Sequence, residues 1–126
     1  MARGKRPVAA IAEAKEFAER MGYSWTDNQN EEFAFDFFIH KPDSFRAVAV
    51  RMTRNRLDPE AFFEHLFPDE IAGLRALPFP DFILRELWLR TRHERTWRRL
   101  IVYRPPAAVG EIGWWGPDSY TNPYAR

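Results

Sequence analysis

The sequence of 126 residues contains no cysteine. Disulfide bonds, thiolate metal sites and cysteine nucleophiles are therefore excluded, which fits a reducing compartment. No apolar stretch approaches the ~20 residues of a membrane span. The apolar stretch after the basic N-terminus, residues 8–12, is also too short for the core of a signal peptide. We therefore expect a cytoplasmic protein with no membrane partner.

The short motifs of the common catalytic classes are missing as well. The sequence has no GxxxxGK[ST] loop or GxGxxG turn to bind phosphates, no GxSxG nucleophile and no HExxH zinc motif. Its histidines, His40, His65 and His93, fall on three separate predicted elements. The residues by themselves therefore contain no complete catalytic motif.

Bulky apolar residues are abundant. The apolar share is 45%, and 11 Phe, 5 Trp and 4 Tyr can build a core without disulfide support. This length and composition predict a single domain over residues 1–126. Within it we expect residues 1–7 to form a flexible basic N-terminus. Residues 105–126 are expected to form an aromatic C-terminal tail rich in proline and glycine.

The net charge is only +1, but the charges are unevenly distributed. Seven arginines and two glutamates lie between Arg85 and Arg104, and four arginines with no acid lie between Arg46 and Arg56. Arginine suits planar, bidentate phosphate contacts, whereas a GC-rich genome's codon usage would produce the same excess of arginine. Both explanations stay open.

The apolar periodicity predicts an α/β (α+β) fold, a mixed four- or five-stranded sheet flanked by helices. The predicted order is α-β-β-β-α-β-β. Its elements are a helix over 8–21, strands over 23–26, 33–40 and 45–53, a helical region from Asp58 to Leu77 broken at Pro68, and strands over 82–91 and 96–104. The second and third strands form a hairpin around residues 41–44.

Asp36 is the acid that most needs explanation, because it lies within an apolar strand, where an ionised group requires a partner. The neighbouring strand offers Arg51. One interpretation is a buried or half-buried Asp36–Arg51 ion pair. The other is a carboxylate that faces a metal ion or a phosphate.

This element order, with an Asp in the second strand and a helix after the third, resembles the PD-(D/E)xK nuclease superfamily over residues 8–104. In that family an Asp and an acid-x-Lys on adjacent strands hold Mg²⁺, and the first helix often adds a Glu. The resemblance matches Asp36 to the Asp, Glu13 or Glu16 to the helical Glu, and Ala49 and Arg51 to the acid and the lysine. Alanine cannot bind a metal, so the resemblance implies an inactive member with no cofactor. Only an active member would use Mg²⁺ with Asp36, Glu13, Glu16 and Arg51.

The predicted hairpin over residues 82–104 carries seven of the sixteen arginines, together with Trp97. Its arginines would contact phosphates of DNA or RNA while the tryptophan stacks on a base. They are Arg90, Arg92, Arg95, Arg98 and Arg99, here called the arginine hairpin. The alternative is a solvated hairpin whose tryptophans face the core.

The tail carries Trp114 and Trp115, which either dock on their own domain or form an interface, for example in a homodimer. The sequence therefore favours a non-catalytic nucleic-acid-binding module on a nuclease-like scaffold. The alternative is a protein-interaction or structural subunit, and an active Mg²⁺-dependent nuclease is a third hypothesis.

Overall fold

A computed structural model describes residues 7–54, 57, 62–94, 96–103 and 109–115, with only the backbone from residue 110 onward. The elements are α1 (Val8–Arg20), β1 (Ser24–Asp27), β2 (Phe37–Lys41), β3 (Ser44–Thr53), α2 (Phe63–Leu66), α3 (Pro68–Arg75), β4 (Leu84–Thr91), β5 (Trp97–Val102) and β6 (Val109–Trp115). Within these described ranges, no helix has the length and apolar character needed to cross a membrane.

The strands form one mixed sheet in the order β1-β2-β3-β4-β5-β6. β3 and β4 are parallel, and the other neighbours are antiparallel. The predicted mixed sheet, its element order and its hairpin around residues 41–44 are confirmed. β6 lies within the predicted tail and adds a sixth strand. Pro68 separates the two helical pieces as predicted, because it is the first residue of α3.

α1 covers one face of the sheet, here called the α1 face. Its apolar side recurs at helical spacing through Ile11, Ala14, Phe17 and Ala18, all buried. These residues pack on the side chains of β2, β3, β4 and β5 that point the same way, including Trp88. The helix therefore buries this half of the core, together with Met21 and Tyr23, which follow it.

α2 and α3 cover the opposite face, here called the α3 face. Ile71 and Leu74 pack there on alanines and leucines of β3, β4 and β5. Gly73 lets α3 approach closely, because a Cβ at this position would lie 2.7 Å from Cβ of Ala34. This close approach brings the first turn of α3 to the segment that precedes β2.

The prediction of a strand over residues 33–40 is wrong in its first half, because β2 begins at Phe37. Phe35 donates a backbone hydrogen bond to Phe33, so the chain bends there. As a result Phe35 lies on the α3 face and Phe37 on the α1 face, although strict alternation would place both on one side. This bend positions Asp36.

Candidate functional site

Asp36 lies directly before β2 and bonds to β3 on either side of Ala49, because its backbone N–H donates to the oxygen of Val48 at 2.8 Å and its side chain accepts from Val50. Its carboxylate is fully buried. Oδ2 accepts the backbone N–H of Val50 at 2.7 Å and lies 3.5 Å from Nη1 of Arg51. The interpretation of an Asp36–Arg51 ion pair is confirmed.

Arg51 is also close to a second acid, Glu70 in the first turn of α3. Nε of Arg51 lies 3.5 Å from Oε2 of Glu70, and Nη1 donates to the backbone oxygen of Val50 at 2.6 Å. Both side chains are about one quarter exposed, at 21% and 27%. The guanidinium of Arg51 thus lies between a buried and a half-exposed carboxylate.

The residues around Asp36 do not fit the Mg²⁺ site that the nuclease resemblance implies. Such a site needs oxygen ligands from adjacent strands, and the β3 position between the two bonds to Asp36 holds Ala49. Glu70, the other acid nearby, is within ion-pair distance of Arg51. In the part of the chain that the structure describes, no group of three or more His, Asp or Glu residues could hold a metal ion.

The structure does not bring the predicted helical acids to Asp36. Glu13 forms an ion pair with Arg90 of β4, and Glu16 is exposed. Both belong to α1, across the sheet from Arg51 and Glu70. The set Asp36, Glu13, Glu16 and Arg51, carried over from the resemblance, is therefore not assembled in one place.

Arg99 of the arginine hairpin points into the protein and is 1% exposed. It holds the buried carboxylate of Glu86 with two bonds, from Nε at 2.8 Å and from Nη2 at 2.9 Å. Arg46 and the indole of Trp88 donate to the same carboxylate, each at 2.7 Å. Arg99 therefore belongs to the core of the α1 face, where its partner is Glu86.

Burial of Glu86 by itself raises the pKa of its carboxyl group. Attraction to Arg99 and Arg46, together with the hydrogen bonds from Arg99 and Trp88, outweighs this effect and holds the pKa below its usual value. Burial by itself lowers the pKa of the Arg99 guanidinium. Attraction to Glu86 and the hydrogen bonds to it outweigh burial, so the pKa of Arg99 is raised. Both groups stay ionised.

Arg98 and Trp97 are also buried, at 3% and 4% exposure. The guanidinium of Arg98 lies on the α3 face, over the ring of Phe63 at 4.8 Å. Trp97 packs on the α1 face against Phe17. The expectation that Arg98, Arg99 and Trp97 reach a nucleic acid from the surface is wrong in this structure, and the alternative of tryptophans that face the core is correct.

The exposed part of the arginine hairpin lies at its turn. Arg90 is engaged by Glu13 and donates to the backbone oxygen of Glu94, whereas Arg92 is exposed. Arg95 lies outside the described residues. The side chains of Trp114 and Trp115 lie outside them too, although the β6 backbone pairs with β5 at these positions.

Arg54 lies beside this turn and is likewise exposed. β3 and β4 run parallel with Thr53 beside Thr91, and their hydroxyl groups share a 2.9 Å hydrogen bond. The backbone N–H of Arg92 donates to the oxygen of Thr53 at 2.7 Å. Arg54 and Arg92, here called the strand-end arginines, therefore leave the sheet from adjacent positions, at the end where Arg51 and Asp36 lie.

Sequence reasoning missed Glu70 and Glu86. Glu86 did carry a signal, because an acid within the apolar run Leu84 to Leu89 needs a buried cation. Glu70 carried none, since an acid in the first turn of a helix is ordinary there.

No protein-family profile and no curated protein matches this sequence. Among solved structures, the fold is similar to a Holliday junction resolvase of the archaeal hyperthermophile Archaeoglobus fulgidus, Hjc, with 12% identity and a TM-score of 0.56. The match covers 90% of this chain and 85% of the resolvase. That resolvase is a member of the PD-(D/E)xK nuclease superfamily. The present chain shares the overall fold of that resolvase.

Proposed function

We propose that the protein is a non-catalytic nucleic-acid-binding module of nuclease-like fold that works without a cofactor. The observation that carries this proposal is the placement of Ala49, without any ligand atom, between the two bonds that join Asp36 to β3, while exposed arginines remain at the same end of the sheet. Loss of a metal ligand removes the means of cleavage but leaves a cationic surface able to hold phosphates.

The strand-end arginines are suited to phosphate contact. Their backbones are anchored by the Thr53–Thr91 hydrogen bond and by the bond from Arg92 to Thr53. Two guanidinium groups on a rigid base lose little conformational freedom when they bind neighbouring phosphates. Contacts of this kind position a nucleic acid without reading its sequence.

Branched DNA belongs among the substrates to test, because the structurally similar protein is a Holliday junction resolvase. Labelled four-way junction, duplex DNA, single-stranded DNA and duplex RNA would be titrated by fluorescence anisotropy at two salt concentrations. We expect binding that weakens steeply with salt, because phosphate contacts release counterions. Preference for the junction would identify branched DNA as the substrate class.

The double variant Arg54→Ala/Arg92→Ala tests the surface itself. We expect roughly tenfold weaker binding and a salt dependence reduced by about one for each arginine. The control Arg20→Ala/Lys41→Ala removes the same charge from the opposite end of the sheet, where α1 and β2 end. We expect this control to bind like the wild type.

Two results would contradict the proposal. One is no binding of any of the four nucleic acids at low salt. The other is equal weakening by both double variants, which would indicate a general charge effect with no defined surface. Cleavage of any substrate in Mg²⁺ or Mn²⁺ would refute the non-catalytic part alone.

A protein-interaction role is the second candidate, because β6 ends the sheet and pairs only with β5 among the described strands. An open strand edge can pair with the same edge of another copy. Sedimentation velocity would show a dimer that Trp114→Ser/Trp115→Ser weakens. A monomer at all concentrations would remove this candidate.

A further inference from the structure

We propose that the guanidinium of Arg51 is a built-in cation that takes the place of the divalent metal in nucleases of this fold. It supplies a positive charge beside both Asp36 and Glu70, so Asp36 needs no bound ion. This inference rests on the geometry around Asp36 alone, and it stands or falls independently of nucleic-acid binding.

Asp36 requires a permanent positive charge nearby. Its carboxylate is inaccessible to water, and transfer of an ionised carboxylate out of water is costly unless hydrogen bonds and a counter-charge replace the lost solvation. The N–H of Val50 supplies a hydrogen bond at 2.7 Å. A backbone amide carries no net charge, and among the described contacts of Asp36 the positive charge is that of Arg51.

Arg51 is held where it can serve both acids. It projects from the strand opposite Asp36, two residues beyond Ala49, and its Nη1 is fixed by the backbone oxygen of Val50 at 2.6 Å. Its Nε approaches Glu70 of α3 within 3.5 Å. The guanidinium of Arg51 thereby links the segment before β2 to β3 and α3, as a metal ion with ligands from these elements would.

Arginine is better suited than lysine to this position. A guanidinium stays protonated at any physiological pH and presents donors in several directions, whereas a lysine in such surroundings can lose its proton. The replacement of a metal ligand by Ala49 and the presence of a permanent cation at Arg51 are therefore complementary changes. Without a ligand at Ala49 no metal ion is held there, and Arg51 supplies the positive charge that Asp36 needs.

The chain contains a matched control pair. Arg75 and Glu64 are 2.5 Å apart, and their side chains are 21% and 30% exposed, close to the values of Arg51 and Glu70. The difference is that Arg51 also lies beside a fully buried carboxylate. Arg75→Met therefore reports the loss of a half-exposed ion pair, and Arg51→Met reports that loss plus the effect on Asp36.

The test is thermal unfolding in EDTA and in millimolar MnCl2. We expect Arg51→Met to lower Tm by on the order of 5 °C more than Arg75→Met. Asp36→Asn should remove most of this excess in the double variant, because a neutral amide needs no counter-charge. MnCl2 should raise Tm of Arg51→Met, leave the wild type unchanged, and lose its effect in Arg51→Met/Asp36→Asn.

Three outcomes would overturn the inference: equal Tm losses for Arg51→Met and Arg75→Met, an Arg51→Met protein that does not respond to Mn²⁺, or a wild type stabilised by Mn²⁺ in an Asp36-dependent manner. If Arg51→Met does not fold, Mn²⁺ binding to the wild type and to Asp36→Asn would be measured by electron paramagnetic resonance. Absence of binding to both supports the inference. Binding that Asp36→Asn abolishes refutes it.

Discussion

Among the described residues two acids are buried, one on each side of the sheet, and they are held very differently. Glu86 accepts hydrogen bonds at 2.7–2.9 Å from two arginines and an indole, and the principal arginine, Arg99, is buried with it. Asp36 accepts a backbone N–H, and its arginine is half-exposed and 3.5 Å away. Both carboxylates are fully buried.

The comparison separates charges that stabilise the fold from charges that remain available for other interactions. Glu86 and its principal arginine, Arg99, are enclosed by the α1 face, so these two charges cannot meet a ligand unless the core opens. The Asp36 cluster lies where β3 ends, beside the strand-end arginines, and Arg51 reaches solvent. The same residue types therefore occur in two settings, which differ in whether the principal arginine is buried with its acid.

The largest effect is expected for Arg99→Met, which leaves Glu86 buried without its principal counter-charge. We expect the free energy of unfolding to fall by about 3–5 kcal/mol, the usual cost of breaking a buried pair from one side. Urea denaturation measures it. Arg92→Met, at the exposed turn, should leave the midpoint unchanged, and a similar loss for both would show that Glu86 does not depend on Arg99.

A smaller effect is expected in the pH dependence of stability. The folded-state pKa of Glu86 is lowered, so its stabilisation is present above the unfolded value of 4.5 and is lost as pH falls through the lowered folded value. The Tm difference between wild type and Glu86→Gln should therefore be large at pH 7 and shrink below pH 4.5. A difference independent of pH would mean that the charge of Glu86 contributes nothing.

Glu64 provides the exposed counterpart to that measurement. Its hydrogen bond from Arg75 is the main cause that lowers its pKa, so the sign of the pH dependence is the same. Because Glu64 is partly exposed and Glu86 is fully buried, Glu64→Gln should change Tm much less than Glu86→Gln at pH 7. Equal changes would contradict the contrast between enclosed and exposed pairs.

The smallest effect is expected for Asp36→Asn. The amide oxygen can still accept the N–H of Val50, and Arg51 keeps Glu70 as a partner. We expect a loss of about 1 kcal/mol, the typical value of one hydrogen bond. Urea denaturation of Asp36→Asn and Arg99→Met side by side would compare the two losses in free energy of unfolding. Equal losses would contradict the distinction between the two acids.

Local sequence was sufficient to predict α1, β3 and β4, since α1 repeats its apolar residues at helical spacing and the two strands contain short apolar runs. The Asp36–Arg51 pair was also predictable, because the two residues lie on adjacent strands of one hairpin. Both inferences depend on residues close in sequence.

The orientation of Arg98 and Arg99 was not predictable in the same way. Consecutive arginines in a strand necessarily point to opposite faces, but the partners that bury them come from distant parts of the chain, namely Phe63 and Glu86. The position of Glu70 beside Arg51 depends on how closely α3 packs, which Gly73 allows. Tertiary packing decided these features.

The parallel pairing of β3 with β4 has a consequence for the rate of folding. The hairpins β2–β3 and β4–β5 close over short loops and can form early, whereas the pairing between them joins Thr53 to Thr91, 38 positions apart. The Arg46–Glu86 bond crosses the same seam over 40 positions. We therefore expect docking of the two hairpins to set the folding barrier, and until they dock Glu86 lacks the hydrogen bond from Arg46.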